Sequence, residues 1–236
     1  TGTVRVLEAA RAAGVERFVN SSSSSVYGEG PGGSSVPGVP KIEAQLPQPI
    51  SPYAASKLAA ESAVRAWACT YAMQGVSLRY FNVFGPRQST ESQYAAVVPA
   101  FARRVLAGLP PIIFGDGSAS RDFTPVASVV AANLLAGSTT SPLRGQSLNV
   151  GTGARLSVAE LARLVCAAAG TPHLTPAFQP ARAGDIHHSL ADISAARALL
   201  GYAPIEPAPQ AIASTVNWYR QALSGAGPAG SSGVPA

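Results

Sequence analysis

A tyrosine and a lysine lie four residues apart in the stretch 51–57, whose sequence is SPYAASK. Ser51 is a typical helix N-cap and Pro52 suits the first helical position, so the sequence predicts that both side chains share one helical face. A lysine ammonium beside a phenol, together with the positive end of the helix dipole, stabilises the phenolate. The spacing therefore predicts that Tyr53 is a general base near neutral pH, supported by Lys57.

The residues around this pair decide between catalysis and an ordinary amphipathic helix, because a Tyr-x-x-x-Lys spacing alone is common. Upstream, the apolar residues 18–20 are followed by five serines at 21–25 and by the sequence VYG at 26–28. In an open α/β sheet, hydroxyls at the carboxyl end of a parallel strand point into the ligand site. A serine at this place would orient a sugar hydroxyl for the base.

Two later segments extend the pattern: RYFNVFGPRQ at 79–88, and GDG at 115–117 followed by SRDFT at 120–124. With the serine run and the YAASK motif, they make nearly the whole chain resemble extended short-chain dehydrogenase/reductases that act on nucleotide sugars. The resemblance is strongest to UDP-hexose and UDP-N-acetylhexosamine 4-epimerases. It implies a catalytic triad of Ser23, Tyr53 and Lys57, in which Ser23 is located by counting back from VYG.

The resemblance also implies NAD as cofactor, contacted by Tyr53, Lys57 and Phe81, and a UDP-sugar as substrate. The substrate contacts that it implies are Ser24, Asn82, Arg87, Val98, Phe101, Arg121, Arg182, Asp185 and Ser189. Arg121 and Arg182 would clamp the diphosphate, since two guanidinium groups both neutralise and orient it. Asp185 would accept from the uridine ribose, and Val98 and Phe101 would contact uracil. Taken alone, Asn82 could be a turn residue and the arginines could be solvated surface residues.

Composition supports a globular protein that binds a small anion. Of 236 residues, 47% are hydrophobic and 12% are charged, which allows a sizeable core. The net charge of +5 comes mostly from scattered arginines, which suit phosphate better than nucleic acid. No apolar run is long enough to span a bilayer and no leader is recognisable, so the sequence predicts a cytoplasmic protein without membrane contact.

The sequence predicts no metal site. Cys69 and Cys166 are far apart in predicted helices and are interpreted as small buried hydrophobic residues. His187 and His188 are adjacent, so their side chains point apart, and no third ligand has suitable spacing. Both are interpreted as surface histidines.

The predicted fold class is α/β, a partial Rossmann-type parallel sheet with a smaller α/β substrate-binding lobe. Helices are predicted over 3–13, 52–74, 95–107, 126–135, 157–169, 193–200 and 208–222, and strands over 17–20, 76–81, 112–114 and 146–150. Residues 1–85 would form the C-terminal part of an NAD-binding domain, 86–223 mainly the substrate lobe, and 224–236 a disordered tail. The Gly/Pro-rich loop 28–50 is expected to be a lid.

In the family that the chain resembles, a glycine-rich dinucleotide-binding motif and the first strands of the sheet would precede the position of Thr1. The chain as given is therefore expected to lack those strands and to be inactive, while the complete protein is expected to be a homodimer. Helices 3–13 and 52–74 would form the subunit interface, with Ala60 and Ala63 pointing outward.

Three functions follow from the resemblance. The first is an NAD-dependent UDP-sugar 4-epimerase that works by transient oxidation at C4. The second is a 4,6-dehydratase, which needs an acidic pair beside the triad serine; the serines at 23–25 supply none. The third, of another class, is a non-catalytic remnant that binds a nucleotide sugar, and it is indicated by the missing glycine-rich motif.

Overall fold

The computed structural model describes residues 2–29, 39–89, 96–181 and 186–225. Helices and strands alternate along most of this length, as predicted. The helices are α1 Gly2–Ala12, α2 Pro52–Tyr71, α3 Val97–Leu106, α4 Val126–Ser138, α5 Val158–Ala169, α6 Ser194–Leu200 and α7 Ala208–Leu223. The strands are β1 Arg17–Ser23, β2 Gln74–Tyr80, β3 Val83–Phe84, β4 Ile112–Phe114, β5 Ser120–Arg121, β6 Thr124–Pro125, β7 Arg144–Val150, β8 Leu156–Ser157, β9 Ala177–Gln179 and β10 His188–Ser189.

The longest strands form a parallel sheet in the order β1-β2-β7. Ser23 pairs with Tyr80, and Tyr80 pairs with Val150, so the three carboxyl ends lie side by side. This arrangement confirms the predicted Rossmann-type α/β fold. Strand β1 runs on through Ser23 instead of ending at Asn20, which brings the serines themselves to the sheet's carboxyl end. A short 3₁₀ helix, Ser24–Tyr27, follows at once.

The two faces of this sheet differ in polarity. The face that packs on α4 is mostly apolar and includes Val76 and Leu78, which join Val129 and Ala132 in one buried cluster. The face under α2 carries polar side chains, among them Asn20, Ser22, Ser77, Arg79 and Ser147. Helix α2 must therefore supply hydrogen-bonding groups to this face, because buried polar groups need partners.

The remaining strands are short and belong to the second part of the fold. Strand β5 lies between β10, which is parallel to it, and β8, which is antiparallel. Strand β3 pairs with β6, and β4 pairs with β9. A separate hydrophobic core forms where α3, α5 and α7 pack together, around Phe101, Leu161 and Ile212.

Range 86–223 contributes to both cores, since α4, β7 and α6 complete the core of the first sheet. The predicted division at residue 85 stays a prediction. The predicted helix start at 95, loop residues 30–38 and tail residues 226–236 lie outside the described part of the chain. Among the described residues, none of the helices is both long and apolar enough to cross a membrane.

Helix α2 ends earlier than its sequence suggests. The sequence predicts that it continues to residue 74, with Gly75 ending it, but the left-handed backbone of Ala72 (φ 55°) ends it after Tyr71. Gly75 lies instead in β2, where an added Cβ would be 2.8 Å from Val64 Cγ1. The glycine therefore permits close packing of helix on strand. Cys69, predicted to be buried, is exposed, whereas Cys166 is buried as predicted.

Candidate active site

Helix α2 begins as its sequence predicts and presents the reactive pair. The Ser51 hydroxyl accepts a hydrogen bond from the backbone N–H of Ala54 at 3.1 Å, and Pro52 occupies the first turn. The Lys57 ammonium lies 5.7 Å from the centre of the Tyr53 ring. It also donates to the backbone carbonyl of Ser21 at 2.8 Å, so the lysine is held against the end of β1.

Ser23 and Ser24 lie on the wall of a cavity of about 490 Å³ at the carboxyl end of the sheet. The Ser23 hydroxyl caps the 3₁₀ helix by accepting from the backbone N–H of Ser25 at 3.2 Å. This cavity brings together seven of the residues predicted from the sequence: Ser23, Ser24, Tyr53, Phe81, Asn82, Arg121 and Ser189. Hydroxyls, an amide and a guanidinium thus surround one space large enough for a sugar.

A second cavity of about 230 Å³ continues from the first, because Asn82 and Arg121 line both. Its walls are mostly apolar and include Val98 and Phe101, the two residues predicted to contact uracil. Both side chains also belong to the core of α3, which fixes their positions. An apolar slot beside an arginine suits a base attached to a phosphate.

Among the described residues, two predicted contacts line neither cavity: Lys57, which is held against the end of β1, and Arg87, which is exposed and has a left-handed backbone (φ 67°). Arg182 and Asp185 lie outside the described residues. The roles assigned to all four stay predictions. Among the described residues, no cluster of three His, Cys, Asp or Glu side chains forms a candidate metal site.

Sequence reasoning missed Tyr80, which lines the larger cavity at the end of β2. Its hydroxyl lies 3.1 Å from the Ser21 hydroxyl and accepts from the Asn133 side-chain amide at 2.9 Å. Since Lys57 holds the Ser21 carbonyl, these contacts join α2, β1, β2 and α4 beneath the cavity. A tyrosine beside the segment FNVFGP was the available sequence signal.

Sequence reasoning also missed a buried ion pair under the serines. Glu61 and Arg79 are almost fully buried and share two hydrogen bonds of 2.9 and 2.7 Å. Glu61 also accepts from the hydroxyls of Ser22 and Ser147. Because Glu61 follows Tyr53 by eight residues on α2, this network fixes the helix above all three strands. The i, i+4, i+8 spacing of Tyr53, Lys57 and Glu61 was the signal.

Lys41 is buried next to the segment that follows the serines. Its ammonium donates to the Gly28 carbonyl at 2.6 Å, and its backbone forms a parallel bridge to Ala191. Burial, and secondly the positive charge of Arg121, lower the pKa of Lys41 to about 8. The lysine therefore joins residues 28 and 191 at the cost of burying a charge.

We expect this buried charge to make folding stability rise with pH. Between the folded pKa of about 8 and the ordinary lysine value, the unfolded chain binds more protons than the folded chain. In that pH range, the free energy of unfolding should then increase by up to about 1.4 kcal/mol per pH unit. Urea unfolding at several pH values, compared with Lys41→Met, measures this. An equal pH slope in both proteins would contradict the assignment.

Comparison with known proteins gives a family. The profile of the NAD dependent epimerase/dehydratase family matches residues 1–151. The "UDP-glucose 4-epimerase" of Mycolicibacterium smegmatis is 40% identical over 220 residues, covering 93% of this chain and 67% of that protein. A "dTDP-glucose 4,6-dehydratase" of Actinoplanes sp. is 33% identical, covering 93% of this chain and 65% of that protein. The chain thus spans about two thirds of the length of these relatives.

Solved structures agree. The UDP-glucose 4-epimerase of Thermotoga maritima with UDP-glucose has a TM-score of 0.85 and 35% identity, covering 94% of this chain and 69% of that one. The UDP-N-acetylglucosamine 4-epimerase of Methanobrevibacter ruminantium, in complex with UDP-N-acetylmuramic acid, has a TM-score of 0.84 and 34% identity, covering 92% and 67%. The UDP-glucose 4-epimerase of Thermus thermophilus was solved with NAD, at a TM-score of 0.80 and 36% identity, covering 94% and 69%.

Fold and cavity together define a Rossmann-type α/β protein with a ligand site at the carboxyl ends of its parallel strands. The chain belongs to the NAD-dependent epimerase/dehydratase family of short-chain dehydrogenase/reductases. The relatives that match it include UDP-glucose and UDP-N-acetylglucosamine 4-epimerases as well as dehydratases.

Proposed function

We propose that this protein interconverts the C4 epimers of a UDP-sugar with NAD as its cofactor. The observation that carries the proposal is the single cavity shared by Ser23, Tyr53, Asn82, Arg121 and Ser189 at the sheet's carboxyl end. This supports a site in which a tyrosine beside a lysine ammonium, a hydroxyl partner and a phosphate-binding arginine face one ligand.

The residues present fit the nicotinamide and ribose end of NAD. Tyr53 is 56% exposed and lies beside the Lys57 ammonium, so both polar groups can reach a ribose placed at the end of β1. Phe81 supplies an apolar wall to the same cavity. Bound there, NAD would supply reversible hydride exchange with C4 of the sugar.

Side chains on α2 and β1 transfer the proton and orient the group that carries it. The Tyr53 phenolate accepts the proton of the sugar's C4 hydroxyl, and the nearby Lys57 ammonium stabilises the negative charge on the phenol oxygen. The Ser23 hydroxyl orients O4. After the sugar presents its other face, Tyr53 returns the proton to O4, so the cycle ends as it began.

Residues in the second part of the fold would bind most of the substrate. The Arg121 guanidinium would bind the diphosphate, while Val98 and Phe101 would hold uracil in the apolar slot. Asn82 would contact the sugar where the two cavities meet. Arg182 and Asp185 remain proposed partners of the diphosphate and of the uridine ribose.

A 4,6-dehydratase is the alternative within the family. That reaction eliminates water and needs an acidic group near the sugar. Among the described residues that line the larger cavity, none is acidic. Glu61 comes nearest in sequence to α2's reactive pair, but it is buried in the ion pair with Arg79. The cavity therefore favours epimerisation.

The direct test uses protein expressed from the complete reading frame that contains this chain. Incubation with UDP-N-acetylglucosamine and NAD should give UDP-N-acetylgalactosamine, detected by anion-exchange chromatography. Binding of the UDP-sugar without any conversion would support a non-catalytic binding protein instead. A 4-keto-6-deoxy product would support the dehydratase.

Ser189 offers a prediction about which sugar fits. It is buried on the cavity wall, and its small side chain would leave room for a bulky C2 substituent on a sugar bound there. We expect Ser189→Tyr to lower kcat/KM for N-acetylated UDP-sugars about tenfold to a hundredfold, since overpacking costs about 1 to 3 kcal/mol. Activity on UDP-glucose should be spared, and Ser189→Ala should spare both. Equal loss on both substrates would remove Ser189 from the specificity argument.

A homodimer formed through α1 and α2 is part of the proposal. The two outward positions predicted from the sequence were wrong, since Ala60 is buried and Ala63 packs on the cluster around Leu7. Ala59 and Ala66, in contrast, are exposed on α2. Ala66→Glu should therefore give monomers by sedimentation velocity, because it places a charge in an apolar interface. A monomeric unmutated protein would contradict the dimer.

A further inference from the structure

A buried carboxylate, which the proposed chemistry does not use, connects the two halves of the site. Asp122 is fully buried between β5 and β6. Its Oδ1 accepts from the backbone N–H and the hydroxyl of Thr152 at 2.7 and 2.6 Å. Its Oδ2 accepts from the N–H groups of Gly153 at 2.9 Å and Ala191 at 3.4 Å. One side chain thus receives donors from the turn after β7 and from the segment after β10.

The strands that carry the phosphate-binding side of the cavity need such an anchor. Strands β5 and β10 have two residues each, and they pair Arg121 with Ser189. Ladders this short contribute few hydrogen bonds and do not hold a fixed position alone. Strand β7, in contrast, has seven residues and belongs to the β1-β2-β7 sheet. Ser23 lies at the carboxyl end of β1 in that same sheet. Asp122 therefore links Arg121 and Ser189 to the strands beneath the reactive pair.

The surrounding backbone is shaped to admit this carboxylate. A Cβ at Gly151 would lie 2.6 Å from Asp122 Oδ2 and 2.6 Å from the Ala191 side chain, so only glycine allows the approach. Burial raises the pKa of the Asp122 carboxyl, while hydrogen bonds from Thr152, Gly153 and Ala191 lower it. Burying a carboxylate away from water is unfavourable, so the stability of this arrangement depends on each hydrogen bond that the carboxylate accepts.

We propose that Asp122 is a positioning residue for UDP-sugar binding, which holds the Arg121 and Ser189 side of the cavity in place against the catalytic end of the sheet. The inference rests on the proposed function. Asp122 is not among the described residues that line either cavity, so it acts through Arg121 and Ser189. Its loss should weaken substrate binding and leave the proton transfer at Tyr53 intact.

The test is Asp122→Asn. Asparagine has the same side-chain shape as aspartate, but its NH₂ group replaces one acceptor oxygen and faces backbone N–H groups, which also donate. Misplacing binding groups by about 1 Å costs up to about a hundredfold. We therefore expect the Kd of UDP, measured by calorimetry, and the KM of the UDP-sugar to rise about tenfold to a hundredfold, with kcat at saturation nearly unchanged. The control is Asp192→Asn, whose half-buried side chain accepts from the backbone N–H and the hydroxyl of Ser194 at the start of α6 and should leave both constants unchanged.

The kinetic and binding constants distinguish a general folding defect from a specific loss of UDP binding. It would reduce the active fraction, so kcat and the calorimetric stoichiometry would fall while KM and Kd stayed constant; that pattern overturns the proposal. Unchanged UDP binding in Asp122→Asn overturns it as well. If Asp122→Asn does not fold, Thr152→Val and Thr152→Ser decide: weaker UDP binding by the valine variant alone supports the proposal, and equal binding contradicts it. Failure of the unmutated protein to bind UDP contradicts the proposed function instead.

Discussion

Replacing Tyr53 by phenylalanine is expected to lower turnover of the UDP-sugar by a factor of about a hundred to ten thousand, because it removes the general base. The aromatic ring, its place on α2 and the neighbouring Lys57 are retained. UDP binding depends on Arg121 and the apolar slot, so the Kd of UDP should stay close to that of the unmutated protein. Steady-state kinetics and calorimetry on the same preparation measure both quantities.

Two further variants control this result. Tyr71→Phe changes an exposed tyrosine at the far end of α2 and should have no effect on turnover. Lys57→Ala should impair more than turnover, because Lys57 supports both the phenolate and the Ser21 carbonyl at 2.8 Å. Unchanged turnover in either Tyr53→Phe or Lys57→Ala would exclude the triad.

The largest effect on stability is expected for Glu61→Ala. It would leave the Arg79 guanidinium buried and unpaired, and it would remove the acceptor of the Ser22 and Ser147 hydroxyls. Breaking a buried ion pair on one side typically costs about 3 to 5 kcal/mol. The free energy of unfolding in urea should therefore fall by about that amount. Glu8→Ala, at an exposed position on α1, is the matched control and should change stability by no more than about 0.5 kcal/mol.

A double substitution distinguishes an unpaired charge from lost packing. Replacing both Glu61 and Arg79 by apolar residues of similar volume, Glu61→Met with Arg79→Met, removes the charges together and should recover most of the loss. The Ser22 and Ser147 hydroxyls would still lack an acceptor, so recovery should be incomplete. If the double variant is as unstable as Glu61→Ala, the loss does not come from the unpaired arginine.

Much of the cavity could be predicted from sequence because its residues belong to short linear motifs. The N-cap, the proline and the i, i+4 spacing locate Tyr53 and Lys57 with no knowledge of the fold. The serine run locates Ser23 because strand ends and ligand sites coincide in parallel sheets. Arg87 shows the limit of this reasoning, since a motif gives a position in sequence but not the direction of a side chain.

The residues that sequence reasoning missed depend on contacts between distant segments. Asp122 meets Thr152 and Ala191, and Glu61 meets Ser147, through pairings that no local pattern encodes. The end of α2 was misplaced for a related reason. Glycine usually ends helices, yet Gly75 is required inside a strand because Val64 packs against it.

The most direct test of the account uses proton NMR to follow the hydrogen bound to C4 of the sugar during turnover in D₂O. Unmutated protein with NAD, started from UDP-N-acetylglucosamine or from UDP-N-acetylgalactosamine, should reach the same mixture from either side. Because epimerisation by transient oxidation returns the original hydrogen to C4, the account predicts no solvent deuterium at that carbon. Deuterium at C4, or a 4-keto-6-deoxy sugar carrying deuterium at C5, would contradict it.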